Sequence, residues 1–188
     1  MKIALIVLAA VFVVALSLGG GLMGNRNDLV TEKNAVDGAW AQVDVVLQRR
    51  ADLIPNLVES VKGFAKQELA VTDSVTAARA ALGGARTPAE KIAANGQLDT
   101  ALSRLLVVVE NYPNLKSNEN FIRLQDELAG SENRIAVERR RYNETVQHYN
   151  TDIELFPKNI AASLFGFHRN DAYFKAETGA RETPKVKF

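Results

Sequence analysis

At 188 residues the chain has room for one ordinary domain and an appendage, and its 23 basic and 22 acidic residues leave a formal charge of +1. That balance excludes a general nucleic-acid binder, which needs surplus Lys and Arg to displace counterions, so no nucleic-acid partner is expected. The lack of cysteine excludes disulfides, thiolate metal sites and an acylated lipoprotein cysteine, and leaves the compartment open.

The first element runs from Ile3 to Met23, 21 residues without a charge, after Lys2 and before Asn25-Arg26-Asn27-Asp28. At about 1.5 Å per residue it covers roughly 30 Å, the thickness of a hydrocarbon core, so residues 3–23 are expected to contact membrane lipid. A cleaved signal peptide is the rival, with Ala15-Leu16-Ser17 as its cleavage site, so that residues 1–17 would be lost. The apolar run continues past Ser17 through Leu18, Leu22 and Met23, which favours a retained anchor over residues 1–24. Gly19, Gly20, Gly21 and Gly24 offer small-xxx-small spacing for close helix approach, but a glycine run more simply loosens the exit of the span. Lys2 favours a cytoplasmic amino end and therefore a soluble part facing the periplasm.

From Val36 an apolar seam alternates steps of four and three: Trp40, Val43, Leu47, Arg50, Ile54, Leu57, Val61, Phe64, Glu68, Val71, Val75, Ala78, Leu82. The phase survives Pro55, so the helix should continue through it, bent, with the Ala51 carbonyl left without its usual donor. One helix to about Leu82 is expected, ending at Gly83-Gly84. Arg50 and Glu68 are charges on an apolar seam. Either Arg50 snorkels at the bundle margin near the freed carbonyl while Glu68 caps a wet end, or each finds a polar partner on another helix.

Thr87-Pro88-Ala89-Glu90 is a capping box with proline at the first helical position. The helix it starts carries Ile92, Leu98, Leu102, Leu105 and Val109 and stops at Asn111-Tyr112-Pro113-Asn114. Another begins near Ser117 or Asn118 with a stripe from Phe121 through Leu124, Leu128, Ile135, Tyr142, Val146, Tyr149 and Ile153 to Phe156. Glu132 and Arg139 fall in its gaps, placed to meet Arg50 and Glu68 by opposite charge if the helices run antiparallel. Repeated asparagines there, Asn133, Asn143 and Asn150, call for interhelical hydrogen bonds. A short helix follows Pro157 and halts at Gly166. Long helices with short loops predict an all-α chain: a transmembrane helix, an antiparallel up-and-down bundle over 25–166, and an irregular tail over 167–188 clipped on by its aromatics.

Signatures of catalysis or cofactor binding are missing: there is no P-loop, no G-x-S-x-G and no H-E-x-x-H. Neither an enzyme nor a cofactor is expected. Glu144, His148 and Asp152 share one helix face and could ligate a metal, though such a trio is more often solvated surface. Arg139-Arg140-Arg141 is interleaved with glutamates, which reads as salt-bridged surface, with anionic lipid or a protein partner as the alternative.

Several phrases resemble the LemA family. They are Ala39-Trp40-Ala41-Gln42-Val43-Asp44, Arg49-Arg50-Ala51-Asp52-Leu53-Ile54-Pro55-Asn56-Leu57-Val58, Glu110-Asn111-Tyr112-Pro113-Asn114-Leu115-Lys116 and Glu132-Asn133-Arg134-Ile135. Arg140-Arg141-Tyr142-Asn143, Phe156-Pro157 and Phe165-Gly166-Phe167 extend the match, which runs from about residue 29 to the carboxyl end. The resemblance implies a single-pass protein of the bacterial inner membrane bearing a helical bundle, with a magnetosome-membrane protein among its relatives. It carries no enzymatic activity, and it points to a protein partner or homo-oligomer, with a membrane protease of the HtpX type as one candidate. Where some relatives have a lipidated cysteine, this chain has Gly21-Leu22-Met23-Gly24, which favours a helical anchor. The residues expected to fix helix register or form an interaction surface are Trp40, Arg50, Asp52, Pro55, Glu132, Asn133, Arg139 and Asn143.

Overall fold

A computed structural model describes residues 2–175, and all regular structure among them is helical. In chain order the helices are α1 (Lys2–Phe64), α2 (Leu69–Gly84), α3 (Pro88–Val109), α4 (Pro113–Lys116), α5 (Glu119–Glu154) and α6 (Lys158–Phe165). The described residues form two compact units, one from 2–40 with 141–171, the other from 41–140 with 172–175. Helix α1 runs through both.

The second unit holds the larger core. Its α1 positions include Ile54, Leu57 and Val61, on the seam anticipated from the sequence. They meet Val75, Ala78 and Leu82 of α2, Leu98, Leu102 and Leu105 of α3, and Phe121 of α5. Removing a leucine such as Leu98 or Leu105 fully from water is worth about 1.5–3 kcal/mol, so this cluster is the chief source of stability in the unit. The capping box of α3 is present in full: Glu90 N–H donates to Thr87 Oγ1 at 3.2 Å, and Thr87 N–H to Glu90 Oε2 at 3.1 Å. Those backbone donors, with Arg86 N–H first among them, hold the Glu90 carboxyl below its ordinary pKa. At α5 the cap is Asn118, whose Oδ1 accepts from the N–H groups of Asn120 and Phe121 at 3.0 and 3.1 Å.

Proline 55 does lie inside an unbroken helix. The chain reverses ten residues later, over Ala65 to Glu68, and this corrects the expectation of one helix to Leu82. Phe64 is consequently exposed, and Glu68 sits just before α2. The turn is closed by Glu68 N–H to Ala65 O at 3.1 Å, and Tyr112 Oη donates to Glu68 Oε1 at 3.0 Å, tying it to the turn after α3. That carboxylate raises the pKa of the Tyr112 hydroxyl. Glu68 thus pairs with Tyr112 and not with Arg139 as anticipated.

In the first unit α1 and α5 are antiparallel, with Trp40 against Tyr142 edge to face at 5.2 Å, and Glu32 near the end of α5 at Asp152. Leu29, Ala161 and Ala162 form a small core, flanked by Leu22, Ile153, Phe165 and Phe167. The Gly19–Gly24 stretch lies within α1 and is helical. Phe156 is not part of the α5 stripe: α5 ends at Glu154 and the ring is 79% exposed. Gly166, at φ 73°, takes the left-handed conformation that ends α6 and turns the chain back. The tail is then clipped to α5, because Tyr149 Oη donates to His168 O and Asn150 exchanges two 2.8 Å bonds with the Asn170 backbone. Tail residues 176–188, including Val186 and Phe188, lie outside the described residues.

Candidate functional site

Four charged side chains meet inside the second unit. Arg50, 6% exposed, projects from the α1 seam, and its Nη1 lies 2.5 Å from Asp99 Oδ1 and 2.8 Å from Glu132 Oε2. Arg139, one heptad beyond Glu132 on α5, reaches Asp99 Oδ2 at 3.4 Å and Glu132 Oε1 at 3.9 Å. Asn95 Nδ2 braces Asp99 at 2.9 Å from one helical turn earlier on α3. Two cations and two carboxylates cancel, which is the condition for keeping a guanidinium this deep. Arg139 also stacks over the Phe174 ring at 5.1 Å. Beside the network opens a pocket of about 500 Å³, whose apolar wall includes Leu57, Leu102, Leu106 and Leu128, with the four charges lining it too.

Arg50 is therefore no margin residue, and the carbonyl freed by Pro55 is served by another arginine: Arg79 Nε on α2 donates to Ala51 O at 2.8 Å. Of the eight expected residues, Arg50, Glu132 and Arg139 come together here. Trp40 packs in the other unit. Asp52 is exposed and accepts from Gln48 at 2.9 Å, Asn133 is exposed, and Asn143 is half-buried. Asp99, Asn95 and Arg79 were missed. Asn95 and Asp99 had a legible signal, since they flank the buried α3 stripe of Ala94, Leu98 and Leu102.

A second cluster lies in the first unit. Glu32, His148 and Asp152 bring ligand atoms within 4.8 Å of one another, whereas Glu144 is outside that trio and lines a groove with Glu32 and His148. The expected trio is thus replaced by one with Glu32. Between its carboxylates sits the Lys158 ammonium, 2.6 Å from Glu32 Oε1 and bonded to Asp152 Oδ2. The lysine holds the Asp152 carboxyl below its usual range and is itself pushed upward, chiefly by the Asp152 bond. Burial outweighs the lysine at Glu32, whose pKa rises. A divalent cation here would have to displace Lys158.

The fold and these sites define an all-helical protein with, among the described residues, one helix long and apolar enough to cross a membrane, the stretch being wholly unburied, and a bundle organised around paired charges. The LemA family profile matches residues 39–188, and the chain belongs to the LemA family. It is 30% identical to the magnetosome proteins MamQ 1 and MamQ 2 of Paramagnetospirillum magneticum over 97% of this chain and 75% of theirs. Protein LemA of Metamycoplasma hominis is 23% identical over 82% of this chain and 70% of its own.

Proposed function

We propose that the chain is a membrane-anchored helical adaptor that binds another protein, or a second copy, and catalyses no reaction. The observation that carries this reading is the 500 Å³ pocket: apolar on one side, bounded by charges that already neutralise each other. Such a site offers burial and orientation to an entering side chain, and its acids and bases are committed to holding helices in register. The apolar helix supplies the tether, with Lys2 favouring an inner-membrane topology and an outward-facing bundle. A membrane protease is one partner class to test.

A photo-crosslinking residue at Leu106, which lines the pocket and is 42% exposed, is expected to trap a discrete protein in native membranes. Ser103→Trp, filling the pocket from its exposed edge, should abolish that adduct without changing the melting temperature. An adduct indifferent to Ser103→Trp would reject the pocket as the docking point. Stoichiometric zinc or iron in the purified protein would instead favour a metal-dependent role at Glu32, His148 and Asp152.

A further inference from the structure

We infer that the chain meets the bilayer a second time: the corner where α6 ends, Leu164 to Phe167, seats in the lipid headgroup layer at the mouth of the apolar span. The register within the first unit carries this. Lys158 bonds Glu32, Ala161 and Ala162 pack on Leu29, and Phe165 lies under the Arg26 guanidinium at 5.5 Å. As α6 advances from 158 to 165, its partners on α1 fall from 32 to 26. The helix therefore descends alongside α1 toward the span, and Leu22, inside the apolar stretch itself, packs against the same small core as Phe165 and Phe167.

The depth follows from helix geometry. Arg26 is three residues beyond Met23, about 4.5 Å along the helix at ~1.5 Å per residue. The headgroup layer on each side of the hydrocarbon is roughly 5–8 Å thick, so the corner falls within it. Its surface suits that layer. Leu164 is 66% exposed and Ile160, one turn above it, 49%. Both are costly to present to water and find partners among acyl chains. Phe165 and Phe167 are half-buried beside Arg26, whose stem spans apolar ground while its charge can reach phosphate. Gly166 makes the reversal at this depth, returning the chain to the His168 and Asn170 contacts farther out.

The inference rests on the apolar helix being a membrane anchor, and the test separates the two. The chain has no cysteine, so single cysteines can carry an environment-sensitive fluorophore at Leu164, at Val11 in the span, and at the exposed Gln147 of α5. The full chain is reconstituted in phosphatidylcholine–phosphatidylglycerol vesicles containing lipids spin-labelled near the headgroup or deep in the acyl chain. Matching helical content and melting curves establish that each labelled protein is folded. At Leu164→Cys the emission should shift to the blue and lose most of its intensity to shallow quenchers. At Val11→Cys deep quenchers should dominate, and Gln147→Cys should respond to neither. Quenching at Val11 without quenching at Leu164 overturns the second contact and leaves the anchor standing. Absence of quenching at Val11 removes the anchor itself. A blue shift at Leu164 that lipid quenchers leave untouched would mean the corner is covered by protein, which also overturns the inference.

Discussion

At the scale of single residues, what matters is who holds each buried charge. Arg50 is the deepest member of its network, while the Glu132 side chain is 42% exposed and Asp99 20%. Stranding the arginine should therefore cost more than removing it. Replacing both carboxylates, Asp99→Ala with Glu132→Ala, is expected to destabilise by about 3–5 kcal/mol, whereas Arg50→Met, which keeps the stem's packing, should cost under about 2 kcal/mol. Urea denaturation of the three proteins measures the order, and a costlier Arg50→Met would mean the pair itself supplies net stability. The Lys158 clasp makes a prediction about pH. Asp152 has a folded pKa below its ordinary value, so its stabilisation is complete above about pH 4 and disappears as pH falls through the lower folded value. Glu32 acts oppositely: its raised folded pKa favours the protonated form, and stability is lost as pH rises from about 4.5 through that raised value. Glu32→Gln should remove this loss, and Asp152→Asn should flatten the acid limb. Amide exchange in α6, followed between pH 3 and 7, reads both. If neither substitution changes the profile, Lys158 is not what fastens α6.

At the scale of elements, the proline was legible and the turn was not. A heptad phase unchanged across Pro55 required a continuous helix, because a break would have had no reason to preserve register. The loss of the Ala51 donor followed from the same geometry, but its replacement by Arg79 depends on α2 folding back, which only tertiary packing decides. Ala65, Lys66, Gln67 and Glu68 are all good helix formers, so local propensity carried no sign of the reversal. Only Gly63, two positions upstream, hinted at it. The short periodicity beyond the turn misled as well, since a second helix can resume an apolar spacing of three and four by chance over about three turns. Linking the two features, Pro55→Ala restores a backbone donor to Ala51 and improves helix propensity, and should stabilise by about 1–2 kcal/mol. Arg79→Ala should cost about 1–2 kcal/mol in the natural chain and much less beside Pro55→Ala, because the carbonyl then has its own partner. Additive effects in this double-mutant cycle would show that Arg79 stabilises by some route other than Ala51.

At the scale of the whole molecule, the sequence conveyed helix class and strand absence because apolar periodicity is a property of the chain alone. The division into two units was hidden, for α1 and α5 each cross it with no composition change at Trp40 or Arg140. The candidate site was legible in part: Arg50, Glu132 and Arg139 stood out as charges interrupting apolar stripes, while Lys158 and Glu32 lie more than a hundred residues apart with nothing local to pair them. The anchor is the part most dependent on environment. Large apolar side chains between Ile3 and Met23 are exposed, Ile3 by 79% and Leu8 by 72%, and a row of such side chains has no favourable place in water. Lipid removes that exposure. The full chain should accordingly resist alkaline carbonate extraction from membranes, while a chain beginning at Asn25, which keeps Leu29 and every buried residue described after it, should be released and retain its helical circular dichroism. If the shortened chain withstands extraction as firmly as the full one, the apolar helix is not the principal tether, and the bundle or its α6 corner holds the membrane without it.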